Sequence, residues 1–319
     1  MKLWQIEVDK ENLVLDMDKI TVLKGYHKKW FRTARRIHEF FNSRNTQVQI
    51  LEDAQPINKK DWECLIIPFD ESMQLDKITL KSPLQLVLEK IIESLVACPQ
   101  YHSILEEWEL LKEEEEIINK AVLERFNLKF ELKLFEETHL KDFIVLSSNY
   151  DKLSPIEIKI LYLKLLLEKE LTKRLLLIIE LPEIYAEEQE LKEFVTVLEQ
   201  LICRGCNAII ITTSDEIVGR NNFILNNQVI NEARIDLLRS KLISTVPIPI
   251  DEQEFLKAKD LLLSSVDKWD SKWDHALNLN VIHSTEIIVL YVLLKLLGIH
   301  WNVDTSKFPP NIRSFFADY

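Results

Sequence analysis

The sequence predicts an α/β protein: a sheet core covered by helices, interrupted by an inserted helical lobe and followed by a helical C-terminal extension. Three observations predict it. The apolar runs 175–179 and 208–211 have no polar side, which suits strands covered on both faces. Helical periodicity over about 155–171 and 186–204 alternates with those runs, and strand–helix–strand order implies a parallel layer with right-handed crossovers. A long helical pattern over about 83–127 interrupts this alternation. The 319 residues, 47% of them apolar, are enough for a substantial core.

Along the chain, residues 2–8 and 13–17 alternate as short strands around Asp9-Lys10-Glu11, a hairpin signal. A third strand, 20–23, ends at Lys24-Gly25, and helical spacing follows from about Lys28 to Phe41. Further strands are expected at 47–51, 64–68 and 128–135. The acidic run Glu113 to Glu116 reads as a solvated helix face. Beyond Pro247-Ile248-Pro249 the chain is helical and carries Trp269, Trp273 and Trp301. The expected division is 1–82 with 128–245 as the α/β head, 83–127 as the lobe and 246–319 as the extension.

Composition removes several function classes. A net charge of −12 argues against a surface generally coated with nucleic acid, although a local basic stripe still sets a local field. The first residues lack an apolar signal-peptide core. The most apolar run, 287–299, is too short to cross a membrane and contains Lys295, so it reads as a buried helix. A cytoplasmic protein without membrane contact is expected. The lone Cys203-Arg204-Gly205-Cys206 closes a helix where a redox pair would open one, and no second pair completes a zinc site. His102 with Glu106 and Glu107, and His275 with His283, lack convincing metal-ligand spacing.

Four stretches fall in the order expected of an ATPase of the ABC and chromosome-maintenance (SMC) class, a P-loop-NTPase-like core. A phosphate-binding loop needs glycines that let backbone N–H groups cradle phosphate, a Lys on the terminal phosphates and a hydroxyl on Mg²⁺. Here Gly25-Tyr26-His27-Lys28-Lys29-Trp30-Phe31-Arg32 places Trp30, Phe31 and Arg32 where Gly, Lys and Ser/Thr are required. Leu153-Ser154-Pro155-Ile156-Glu157 resembles the LSGGE signature, with Ser154 kept as a helix N-cap and the glycines lost. Glu180 follows the apolar strand at the metal position, but Leu181 stands where the catalytic Glu would polarise water. Ser214 stands where a switch His would meet the γ-phosphate. The expected nucleotide site, marked by Gly25, Ser154, Glu180 and Ser214, is therefore degenerate, with no nucleotide bound and no catalysis. An unrelated α/β domain with coincidental strands is the alternative.

After Gly25 the helix separates into two faces. Lys28, Arg32, Arg35 and Arg36 share one side, while Trp30, Ala34, Ile37 and Phe41 share the other. Lys24, His27 and Lys29 add charge at the amino end, where cations oppose the helix dipole. The concentration suggests contact with phosphates, so Lys24, His27, Lys28, Lys29, Arg32, Arg35 and Arg36 are the candidate DNA-binding residues. An exposed helix paired with neighbouring acids is the competing reading. Lys59, Lys60, Lys129, Lys133, Arg234, Arg239 and Lys241 are weaker basic candidates.

A ruined ABC/SMC-like core with an inserted helical lobe and helical tail resembles the Csn-two family, the accessory proteins of spacer acquisition in type II-A CRISPR systems, in its long form. The resemblance covers about 1–245 and rests on 20–36, 153–157, 175–183 and 206–214. It implies a homotetrameric ring enclosing double-stranded DNA entered from free ends, Ca²⁺ stabilising the ring, and partners among the integrase subunits and the RNA-guided nuclease. It implies no enzymatic activity, and antiviral defence as the setting. A protein-binding scaffold without DNA contact and a divergent ATPase are the alternatives.

Overall fold

The computed structural model describes residues 2–8, 11–69, 84–146, 153–246, 249–266, 284–299, 301 and 310–318. Pro247, Ile248, Trp269, Trp273, His275 and His283 lie outside these. The chain divides into two compact units, 1–70 with 171–319, and 71–170. The first is a mixed α/β unit. Its strands are β1 (Lys2–Val8), β2 (Glu11–Met17), β3 (Ile20–Lys24), β4 (Gln49–Glu52), β5 (Gln55–Pro56), β6 (Trp62–Ile67), β7 (Arg174–Glu180), β8 (Asn207–Thr212), β9 (Arg220–Leu225) and β10 (Gln228–Asn231). Its helices are α1 (Lys28–Asn42), α6 (Glu188–Cys203), α7 (Glu232–Thr245), α8 (Glu252–Val266), α9 (Ser284–Leu296) and α10 (Pro310–Asp318).

The two apolar runs form the middle of a six-stranded sheet ordered β10-β9-β3-β8-β7-β6, in which only β10 is antiparallel to its neighbour. Residues 175–179 and 208–211 are all buried, as strands covered on both faces must be. A second, antiparallel sheet, β2-β1-β4-β5, begins with the hairpin expected from the alternating N-terminus. Trp4, Ile6, Leu13, Leu15 and Ile50 of this small sheet pack with Trp30, Ala34 and Ile37 of α1 and with Leu23, Ile178, Ile209 and Ile211 of the large sheet. The apolar face of α1 therefore fills a core to which both sheets contribute.

A buried polar cluster fastens the hairpin to the large sheet. Asn222 Oδ1 accepts from the Asp16 N–H at 2.8 Å and from Asn231 Nδ2 at 2.9 Å, and Asn222 Nδ2 donates to the Asp16 carbonyl at 3.0 Å. The Asp16 carboxylate is fully buried, with Arg220 Nε at 3.7 Å. Burial pushes its pKa above the ordinary 3.8, Arg220 opposes the shift, and Glu232, 2.7 Å from Arg220, adds to it.

The C-terminal extension is not a separate domain in this structure. Phe223, Leu225 and Ile230 of β9 and β10 share one core with Ile235 and Leu242 of α7, Phe255 and Leu262 of α8, and Val289, Leu290 and Leu293 of α9. The run expected to be a buried helix is α9, and among the described residues no helix is long and apolar enough to cross a membrane.

The second unit holds α2 (Leu84–Val96), α3 (Pro99–Glu113), α4 (Glu115–Phe126), a 3-10 turn at Glu137–Asp142 and α5 (Pro155–Glu168). It is larger than the expected lobe of 83–127 because α5, with Ile156, Ile160, Leu163 and Leu166 buried, belongs to it. The segment expected as a strand at 128–135 is extended but joins no sheet among the described residues. Side chains occupy its polar groups instead: Asn119 bonds both the N–H and C=O of Phe130, Glu115 accepts the Leu132 N–H, and the Trp108 indole donates to the Lys133 carbonyl.

Candidate functional site

Three parallel strands, β3, β8 and β7, end side by side, and each end carries one of the sequence-expected residues. At β3 the chain turns through Gly25, whose φ of +93° lies in the region that favours glycine and whose N–H bonds the Thr212 carbonyl at 2.9 Å. His27 caps α1, its Nδ1 accepting from the Lys29 N–H at 3.2 Å. Trp30, in the first turn of α1, is fully buried, and its indole N–H donates to the Lys24 carbonyl at 2.9 Å. The indole thus folds back against the turn in which a phosphate loop would keep only backbone.

The two other strand ends are closed by side chains. Glu180 ends β7 fully buried. Leu181 follows at φ +43°, a conformation unusual for a leucine, with its N–H bonded to the Ile211 carbonyl at 2.8 Å and its side chain in the core. Glu183 then reaches the end of β8. Its carboxylate accepts from Thr212 Oγ1 at 2.9 Å, the Thr213 N–H at 2.7 Å and Thr213 Oγ1 at 2.9 Å. The Ser214 N–H bonds Thr212 Oγ1 and its carbonyl accepts from Lys24 Nζ at 3.0 Å. Lys24 Nζ also lies 2.5 Å from Asp215 Oδ1, the lysine side chain 8% exposed and the aspartate 98%. The polar groups of Lys24, Glu183, Thr212 and Thr213 on this rim are thus engaged within the protein.

The seven candidate basic residues therefore separate. Lys24 leaves the DNA-facing set because its ammonium is held within the rim. Lys29 is half-buried and donates to the Asn227 carbonyl at 2.8 Å, and Arg36 is also half-buried. Lys28, Arg32 and Arg35 are exposed at spacings of four and three, one face of α1, with His27 exposed at its start. Over seven residues this face runs about 10 Å, at roughly 1.5 Å per residue. Several weaker basic candidates are committed elsewhere: Lys59 to Phe40 and the Ser43 carbonyl, Arg234 to the Val229 carbonyl and Gln228, and Arg239 to Glu252.

Ser154 lies in the second unit and caps α5. Its Oγ accepts the Glu157 N–H at 3.2 Å while the Glu157 carboxylate accepts the Ser154 N–H at 2.6 Å. Cys206 is buried, which raises its thiol pKa against the opposing charge of Arg204 and keeps it from acting as an activated thiolate. Among the described residues no group of three or more His, Cys, Asp or Glu side chains could hold a metal ion.

Sequence reasoning missed Glu183, Thr212 and Asp215. Their roles appear only once β7 is paired with β8, and β8 with β3, because no spacing rule links them.

No protein-family model matches the sequence, and no curated protein matches it. Among solved structures, Stu0660 of Streptococcus thermophilus is similar over 98% of this chain and 99% of its own, with 14% identity and a TM-score of 0.57. A nucleotide-free ATP-binding cassette of an ABC transporter matches 75% of this chain and 96% of its own at 13% identity, TM-score 0.37. The ADP form of the ATP-binding cassette MJ1267 matches 72% and 90% at 13% identity, TM-score 0.38. The likeness to Stu0660 is one of fold, and it runs through the head, the helical unit and the C-terminal helices together.

Proposed function

We propose that this chain is a non-catalytic protein that binds double-stranded DNA without sequence preference, through free ends, and serves spacer acquisition in CRISPR defence as a homotetrameric ring of the Csn-two type. The observation that carries the reading is the pairing of a strand rim tied by Lys24 and Glu183 with a helix that turns Lys28, Arg32 and Arg35 outward on a chain of net charge −12. The core is read as a P-loop-NTPase-like, ABC/SMC-like fold whose nucleotide site has been filled by Trp30 and tied by Lys24 and Glu183. Similarity of fold to Stu0660, a Csn-two-type protein, supports the CRISPR setting. Calcium, the integrase subunits and the RNA-guided nuclease come with that reading as further partners in a cytoplasmic assembly.

Enclosing a duplex needs cations near phosphates and no base contacts, and its affinity falls steeply with salt. The test compares linear with covalently closed plasmid across a salt series. Salt-sensitive retention of linear DNA alone is expected, and replacing Lys28, Arg32 and Arg35 together with Glu should abolish it while the circular dichroism spectrum is unchanged. Equal binding by the triple variant at matched salt would remove α1 from the DNA interface. The exposed Leu110, Ile117, Ile118 and Phe126 favour the second reading, a protein-binding scaffold. That reading predicts partner capture with no shift of either DNA form.

A further inference from the structure

In the second unit, the extended segment 128–132 offers an open strand edge, and we propose that this edge pairs with the same edge of a second copy of the chain. In an extended chain, the backbone N–H and C=O of successive residues point to opposite edges. Phe130 and Leu132 face α4, because Asn119 takes both polar groups of Phe130, at 2.7 and 2.9 Å, and Glu115 takes the Leu132 N–H at 2.9 Å. Lys129 and Glu131 therefore face away. Among the described residues their backbone groups make no hydrogen bond, and both residues are exposed. The edge stops at Lys133, whose carbonyl is taken by Trp108 at 2.9 Å. Unpaired N–H and C=O groups on such an edge are a template for another strand.

Charge chooses the occupant and its register. A two-fold axis makes the paired strands antiparallel. An axis through Glu131 would set Glu131 against Glu131 and Lys129 against Lys133, which is repulsive on every pair. An axis through Phe130 sets Lys129 against the partner copy's Glu131, twice, and opposite charges directly across a pair stabilise it. That register also makes Lys129 and Glu131 the hydrogen-bonded pairs, as their outward backbone groups require, and places Phe130 opposite Phe130 at the close, non-hydrogen-bonded position. Leu128 and Leu134, 64% and 54% exposed, flank the edge and gain cover from the second copy. The pairing is independent of DNA binding, since it uses no residue of the first unit.

The symmetry gives a sharp test. In the full chain without DNA, Glu131→Lys places like charges on both pairs, whereas Lys129→Glu with Glu131→Lys exchanges the signs and keeps both attractions. Sedimentation velocity over a concentration series should show self-association at least tenfold weaker in the single variant and restored in the double variant. Both residues are exposed and bond nothing through their side chains among the described residues, so folding is not at stake. An unchanged mass for Glu131→Lys, or failure of the double variant to recover, overturns the interface. In the parent chain, self-association without retention of linear DNA would count against the DNA reading alone.

Discussion

Single residues decide what the strand rim can hold. Trp30 bonds the Lys24 carbonyl just before Gly25 and lies wholly in the core, so Trp30→Ala should cost about 3–5 kcal/mol in urea unfolding. The cavity it leaves should not restore nucleotide binding, because Lys24 and Glu183 keep their internal partners. Mg-ATP is therefore expected to leave the melting temperature of that variant unchanged, whereas a ligand of the native state would raise it. Asp16 gives a pH prediction. Its pKa is raised by burial, so its contribution to stability is fully present below the unfolded value near 3.8 and is lost as pH rises through the raised folded value. Asp16→Asn should therefore gain in melting temperature relative to the parent as pH goes from 4 to 8. A difference that shrinks over that range would contradict the burial account. Of this residue-scale detail, the sequence displayed the lost glycines and the tryptophan. It hid the Glu183 clamp, whose partners lie 29 and 30 residues away and meet it only across paired strands.

At the scale of elements, legibility followed the source of the burial. β7 and β8 were readable because a strand covered on both faces has no polar side to disguise it. β9 and β10 were not, because Arg220-Asn221-Asn222 reads as polar loop. Asn222 is buried there by bonds to Asp16, 206 positions away. The turn between them carries a signal of its own. Asn226 and Asn227 have φ of +48° and +61°, the two-residue hairpin loop in which both central residues are left-handed. Asn227→Gly should be tolerated, while Asn226→Val should cost about 1–2 kcal/mol, since a branched side chain resists that conformation. Equal melting temperatures for the two variants would argue against the strained turn. Residues 128–135 teach the converse. Alternation correctly indicated an extended chain, but side chains of α3 and α4 stand where a neighbouring strand was expected.

For the molecule as a whole, the C-terminal helices are part of the head. Their core includes Phe223, Leu225 and Ile230, so a chain ending after Thr245 would expose β9, β10 and α7. Such a truncation should aggregate or melt well below the full chain, and a truncated head of undiminished stability would show that the extension folds apart from it. The Glu183 clamp has a broader consequence. Engines of the ATPase kind tell before from after by letting a bound phosphate move the strand ends. Here those ends are laced together by the protein's own carboxylate and ammonium, and under the non-catalytic reading proposed above the chain would carry no clock. On that reading, whatever it grips would leave only by simple dissociation or by being outcompeted, and the timing of its work would be set by its neighbours.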